Sequence, residues 1–381
     1  MNGGWKRGWK SGWKRANLRY CLSRVKNRGY GLGNELLPWA RAFLASQVLD
    51  ATLLPPAFGM NRRAYWRHFR TPPDDWIYHR ALEYLLPVVE FTESDYLAHG
   101  GGDVVTALRG FAAAHRLRDR RAYVLVTDGL WGGYHHVEAA REFIRSTLYQ
   151  SRYAAHNLLQ LRERIDPHKL LVGMHVRLGD FSPPGASPDY HRASNISLPI
   201  EWLEALVRSL DRALGADWQL LLITDGTEEQ LRPLTSQRPC ITTNDLAPGD
   251  CSDVLALASA DLLVCSVSSF STLAAFLSDS PYLWFRPNLY HHPEGVYSQG
   301  DYNAQRNKPG NPTDTALERL AQAPADALPR GVGVDLDGEI PAAVIHAAVL
   351  RHQSRLWESD LVRSGVARAI APGAILQPRR V

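Results

Sequence analysis

The stretch Leu170-Leu-Val-Gly-Met-His-Val-Arg177-Leu-Gly-Asp180 decides the reading of the fold. An apolar run of strand length ends in a polar, glycine-containing turn, the pattern of a buried strand that empties at the edge of a sheet. Side chains two apart share a strand face, so His175 and Arg177 point the same way at that edge. Downstream the pattern alternates. A helix is expected over 200–214, where Ile200, Leu203, Leu206, Val207, Leu210 and Leu214 fall at helical spacing, then a strand over 220–224 and a helix over 253–259. A strand over 262–265, a helix over 271–278 and a strand over 282–285 follow. Such alternation implies an α/β fold with a parallel sheet covered on both faces, which takes ligands beyond the carboxyl ends of its strands.

Upstream the same unit recurs in looser form. Leu22 to Val25 reads as a short strand, Gly29-Tyr-Gly-Leu-Gly-Asn34 as a glycine loop and Leu36 to Leu49 as a helix. Tyr123 to Thr127 reads as a strand ending in the Asp128-Gly129 turn, with helices over 136–147 and 153–165. Asp166-Pro167 breaks the pattern. At 381 residues the chain exceeds the size at which one core usually stops growing. We therefore divide it into a basic Trp/Gly tail (1–20), an N-terminal domain on the acceptor side (21–166), a C-terminal nucleotide-binding domain (167–330) and a helical segment packing back on the body (331–381).

Hydrophobic residues make up 45% and charged residues 22%, which excludes the disordered and fibrous classes. The net charge is +4, and Lys6, Arg7, Lys10, Lys14 and Arg15 account for five positive charges. The body is thus near neutral, which argues against a nucleic-acid partner. The repeat GWKR-GWKS-GWKR sets Trp5, Trp9 and Trp13 among glycines and cations and reads as a flexible tail, with peripheral membrane contact as the alternative. Four scattered cysteines have neither metal nor disulfide spacing and are expected to be reduced. The most apolar stretch, Val254 to Leu277, is interrupted by Asp261 and a run of serines, so no transmembrane span is expected. Without an apolar leader at its start, the chain is expected to be cytoplasmic.

Three places could carry chemistry. Arg177 offers a rigid fork that can grip two phosphate oxygens at once, and His175 lies beside it. The plain alternative is a satisfied core histidine and an arginine paired with a local aspartate. Further on, Asp253 precedes Asp261-Leu-Leu-Val-Cys265, which runs into Ser266-Val-Ser-Ser-Phe-Ser-Thr272 and a helix. Free amides at that helix start, with Ser268, Ser269 or Ser271 adding donors, would suit phosphate, whereas ordinary serine capping is the alternative. Finally, Gly31 and Gly33 permit unusual backbone angles and close ligand approach. Their spacing fits neither a Walker loop nor a dinucleotide fingerprint.

Together these blocks resemble the superfamily of α1,2-, α1,6- and protein O-fucosyltransferases. His175-Val-Arg177-Leu-Gly-Asp180 resembles its H-x-R-x-G-D element, Asp253 to Phe270 its segment of guanine-reading Asp and diphosphate-binding Ser, and Gly31-Leu-Gly-Asn34 its G-x-G-N loop. The resemblance implies two Rossmann-like domains facing a cleft, the GT-B arrangement, and an inverting transfer of sugar from a GDP-sugar to an acceptor hydroxyl of a glycan, peptide or small molecule. L-fucose is the sugar it favours. It further implies that Gly31, Gly33, Asn34, His175, Arg177, Asp253, Ser268 and Ser269 line the donor. Ser269, eight residues after Asp261, takes the diphosphate-binding position. Where α1,6-type members place an acidic base, ten residues after the motif histidine, this chain has Gly185. The base is left open among Asp180, Asp189 and His191.

Cleavage of the sugar–GDP bond leaves charge on the β-phosphate, which many such enzymes meet with a divalent ion held by a D-x-D pair. Asp74-Asp75, in a Pro-rich stretch, is the acidic cluster weighed for that role. The expectation is instead a site with no metal and no cofactor, in which Arg177, the helix start at Ser269 and backbone amides of the glycine loop meet the charge. Transfer of another GDP-sugar, or binding of one without turnover, are the competing readings. His135-His136 have no ligand partners nearby beyond Glu138 and are read as surface or core residues.

Overall fold

The computed structural model describes residues 17–24, 31–56, 63–69, 75–129, 131, 133–185, 196–266, 268–287 and 330–354. They form an α/β protein with two parallel sheets. The first half runs β1 (Leu18–Ser23), α1 (Leu32–Leu49), β2 (Thr52–Leu53), α2 (Trp66–Phe69), α3 (Asp75–Leu85), β3 (Val88–Phe91), α4 (Glu93–Ala98), α5 (Val104–Ala114), β4 (Ala122–Thr127), α6 (Arg141–Tyr149) and α7 (Ala154–Arg164). The second runs β5 (Leu170–Val176), α8 (Ile200–Leu214), β6 (Trp218–Thr224), α9 (Glu228–Thr235), β7 (Cys240–Thr242), α10 (Asp250–Ser259), β8 (Leu262–Cys265), α11 (Ser269–Leu277), β9 (Tyr282–Phe285), β10 (Gly331–Val334) and α12 (Ala342–Ser354).

The first sheet has the order β2-β1-β4-β3 and the second β10-β9-β8-β5-β6-β7. In the second, β5 lies at the centre. Winding proceeds one way through β6 and β7, then returns past β5 to build β8, β9 and β10. The reversal falls between β5 and β8, which pair at Val172 with Leu262 and Met174 with Val264. At such a point the connections on either side diverge and leave a crevice at the carboxyl ends of the two strands. All seven β5 residues are buried, as its apolar run requires.

Two large cores hold the sheets. One packs α8 and α12 against one face of the second sheet, with Trp202, Val172, Leu220 and Val264 among its buried members. The other is continuous between the halves: Leu36, Ala40 and Leu44 of α1, Ile144 and Leu148 of α6, and Val254, Leu257, Leu273 and Phe276 of α10 and α11 belong to one cluster. Burial of so many apolar side chains at roughly 1.5–3 kcal/mol each makes this interface a structural unit. It presses the start of α1 against the start of α11.

Several local expectations shift. The first strand covers Leu18–Ser23, earlier than the 22–25 expected, and α1 begins at Leu32. The segment from 331, expected to be helical, opens instead with β10, whose backbone pairs with β9 from Gly331 with Tyr282 to Val334 with Phe285. The stretch 55–120 holds α2 to α5 and β3. All four cysteines are free thiols, with Cys21, Cys251 and Cys265 buried. Among the described residues no helix is long and apolar enough to cross a membrane. The Trp repeat, Asp74, Asp189 and His191 lie outside the described residues.

Candidate functional site

Arg177 stands at the first position beyond β5, and two carboxylates hold its fork. Nη1 lies 2.8 Å from Asp225 Oδ2 and Nη2 2.7 Å from Asp180 Oδ1. The pairing with a local acid that the sequence left open is thus realised twice. Asp225, just after β6, was not singled out, although Thr224-Asp225-Gly226 ends a strand at the same edge. Its Oδ1 accepts the Leu178 N–H at 2.8 Å. Burial alone would raise the Asp225 carboxyl, but the amides of Leu178 and Gly179 and the charge of Arg177 outweigh it and hold it below the usual carboxylate range. Gly179 is required by this approach, since a Cβ there would come 2.7 Å from Asp225 Oδ2.

His175 is buried, with Nδ1 2.7 Å from Ser271 Oγ and 2.9 Å from Ser266 Oγ. The Ser266 N–H donates to Ser271 Oγ at 3.0 Å. Burial, reinforced by the Arg177 charge, pushes the imidazole down to about 3, so the ring is neutral at physiological pH. Phe270 packs on it with ring centroids 4.9 Å apart. Through Nδ1, His175 ties β5 to the start of α11. Ser271, expected as a donor to ligand, is spent inside this network.

At the start of α11, Ser268 is the N-cap and accepts the Phe270 N–H at 3.2 Å. The capping alternative is thus realised at Ser268. The Ser269 hydroxyl has no hydrogen-bond partner among the described residues. The glycine loop is corrected too: Gly31 is the N-cap of α1 with φ −63°, and Gly33 and half-buried Asn34 lie in the helix's first turn. Neither glycine serves a left-handed angle. Gly33 serves close approach, because a Cβ on it would overlap the Ser269 carbonyl, whose carbon would be 2.7 Å away. A Cβ on Gly31 would lie 4.0 Å from Ser269 Oγ. Tyr134 donates its hydroxyl to the Gly33 carbonyl, fixing the turn.

Asp253 lies in the first turn of α10, where its N–H donates to the Gly249 carbonyl at 2.8 Å. The residue is half-buried, yet Oδ1 is shut off from solvent and has no hydrogen-bond partner. Burial pushes the carboxyl up to about 7, with Asp250 adding to the rise and a hydrogen bond from Thr243, just past β7, opposing it. Among the described residues no hydrogen bond or ion pair joins Asp253 to Arg177, His175 or Ser269. The structure therefore gathers Gly31, Gly33, His175, Arg177 and Ser269 around the winding reversal and places Asp253 in the first turn of α10, beyond β7.

Of the candidate bases, Asp180 is exposed and bound to two arginines, Arg177 and, at 3.5 Å, Arg63. A Cβ on Gly185 would meet open space. A D-x-D triplet does exist, Asp335-Leu-Asp337 after β10, which the reading centred on Asp74-Asp75 passed over. There Asp335 pairs with Arg286 at 2.9 Å and Asp337 accepts the Glu339 N–H at 3.1 Å. Among the described residues no group of three or more His, Cys, Asp or Glu is placed to hold a metal ion. His136 is engaged by the Tyr96 hydroxyl and lies 2.8 Å from the Gly102 carbonyl oxygen. No family model and no curated protein matches this chain.

Proposed function

We propose that the protein is an inverting, metal-independent glycosyltransferase of GT-B type, built from two Rossmann-like domains, that moves a sugar from a GDP-sugar to an acceptor hydroxyl. L-fucose is the sugar the motif resemblance favours. One observation carries the reading: motifs far apart in sequence meet at the winding reversal, with Gly33 against the Ser269 carbonyl and Arg177 beside the β5–β8 crevice. This is where a doubly wound sheet takes nucleotides.

As the sugar leaves, negative charge grows on the β-phosphate. The Arg177 fork, the start of α11 and the Ser269 hydroxyl meet it from fixed positions, and one such donor is worth about 10²–10³ in rate. Ionised Asp253 accepts guanine N1–H and its exocyclic amine. Adenine has no such pair and would leave a buried carboxylate unsatisfied. Asp180, at the mouth of the crevice, is one candidate to take the acceptor proton, with Asp189 and His191 the others.

The test is GDP release from GDP-fucose, GDP-mannose and, as a control, UDP-glucose, in chelator and with a mixed acceptor panel. Release from a GDP-sugar alone is the expected outcome. Binding of GDP-sugars without any release would favour the non-catalytic reading, which Gly185 supports by standing where α1,6-type members place an acid.

A further inference from the structure

The two carboxylates on Arg177 are not equivalent. Asp225 is 31% exposed and also receives the amides of Leu178 and Gly179, so withdrawing it from Arg177 would strand several donors. Asp180 is 56% exposed, and its second oxygen already reaches Arg63, itself 43% exposed, at 3.5 Å. The four side chains thus form an alternating row, Arg63, Asp180, Arg177 and Asp225, with two positive and two negative charges. An incoming phosphate group adds negative charge at Arg177, and Asp180 is the carboxylate with somewhere else to go.

We propose that Asp180 is a built-in competitor for the anion seat on Arg177, displaced towards Arg63 when a phosphate group binds, and that Asp225 is the positioning residue that keeps the seat aimed. The inference rests on the donor-site reading only in taking the ligand to carry a diphosphate. Because Arg63 belongs to the first half of the chain, the displaced carboxylate also strengthens a contact between halves. Occupancy of the seat and the pairing of Asp180 with Arg63 therefore rise together.

The experiment is calorimetric titration with inorganic pyrophosphate at low salt. An exposed ion pair is a weak competitor, so Asp180→Asn should bind pyrophosphate about three- to fivefold tighter than wild type, the gain fading at ~0.5 M salt. Asp225→Asn should bind it about tenfold more weakly. In an Arg177→Lys background the Asp225→Asn effect should shrink to about twofold or less, because a positioning residue acts through the fork it aims, whereas general damage to the fold would persist. Equal or weaker binding by Asp180→Asn, including no detectable binding in either protein, overturns the proposal. The same series with GDP and ADP separates it from the donor reading. Tightening of pyrophosphate by Asp180→Asn with equal affinities for GDP and ADP supports the proposal and sinks the guanine assignment; tighter binding of GDP than ADP with no gain in Asp180→Asn does the reverse.

Discussion

Helices α1 and α11 start alike and are used differently. Both begin at the carboxyl edge of a parallel sheet, and their first turns touch at Gly33 and Ser269. The start of α1 is already committed: Tyr65 takes the Leu32 N–H, Tyr134 takes the Gly33 carbonyl, and acidic Glu35 is buried in the first turn. The start of α11 carries no acid in its first turn, is capped by its own Ser268, and leaves the Ser269 hydroxyl without a hydrogen-bond partner among the described residues. A helix start attracts anions only while its positive end is unspent. On the proposed reading the second sheet therefore supplies the anion site and the first supplies a close-fitting wall.

The largest effect should come from removing the cation that separates the two helix starts in kind. Arg177→Ala should lower the rate of GDP release by about 10²–10³, and Arg177→Lys should recover little, since an ammonium lacks the fork. Equal rates in all three proteins would make α11 no more an anion site than α1. Next, Gly33→Ala tests the wall. Alanine gains about 1 kcal/mol in helix propensity, but overlap with a main-chain carbonyl costs about 1–3 kcal/mol. Thermal melting should show net destabilisation, and a raised melting temperature would mean the two starts are not pressed together.

A pH series sharpens the comparison on the nucleotide's other end. The Asp253 carboxyl is raised to about 7, so its ionised fraction, and with it GDP affinity, should climb about an order of magnitude from pH 6 to pH 8. Asp253→Asn should flatten that profile. Stability runs the other way: between the usual carboxylate range and pH 7 the unfolded chain ionises first, so Asp253 makes folding less favourable as pH rises. The smallest contrast lies within α11. Ser268→Ala should lose about 1 kcal/mol of stability with the cap, while Ser269→Ala should melt like wild type and weaken GDP binding several-fold. The reverse pattern would exchange their roles.

In the second sheet β5, β6, β8 and β9 were legible as short apolar runs bounded by polar turns, and Leu170 to Val176 is buried along its whole length as that run suggests, whereas β7 and β10 were not read. The first was harder to read. β2 has two residues and β3 alternates exposed with buried positions over only four. Arg177 and Ser269 were legible as candidates because strand ends and helix starts are visible in sequence. Asp225 could have been found by the same rule, at the end of β6. What sequence does not reveal is spending: Ser271 and His175 are as polar as Ser269, yet they meet each other in a contact that only the fold brings near. The role of Gly33 was hidden for the same reason, since its partner lies far along the chain.

The most direct test is calorimetric titration of the wild-type chain with GDP and with ADP in the presence of chelator. The account predicts that GDP binds without metal and that ADP binds far more weakly. Absence of GDP binding, or equal binding of the two nucleotides, would contradict it.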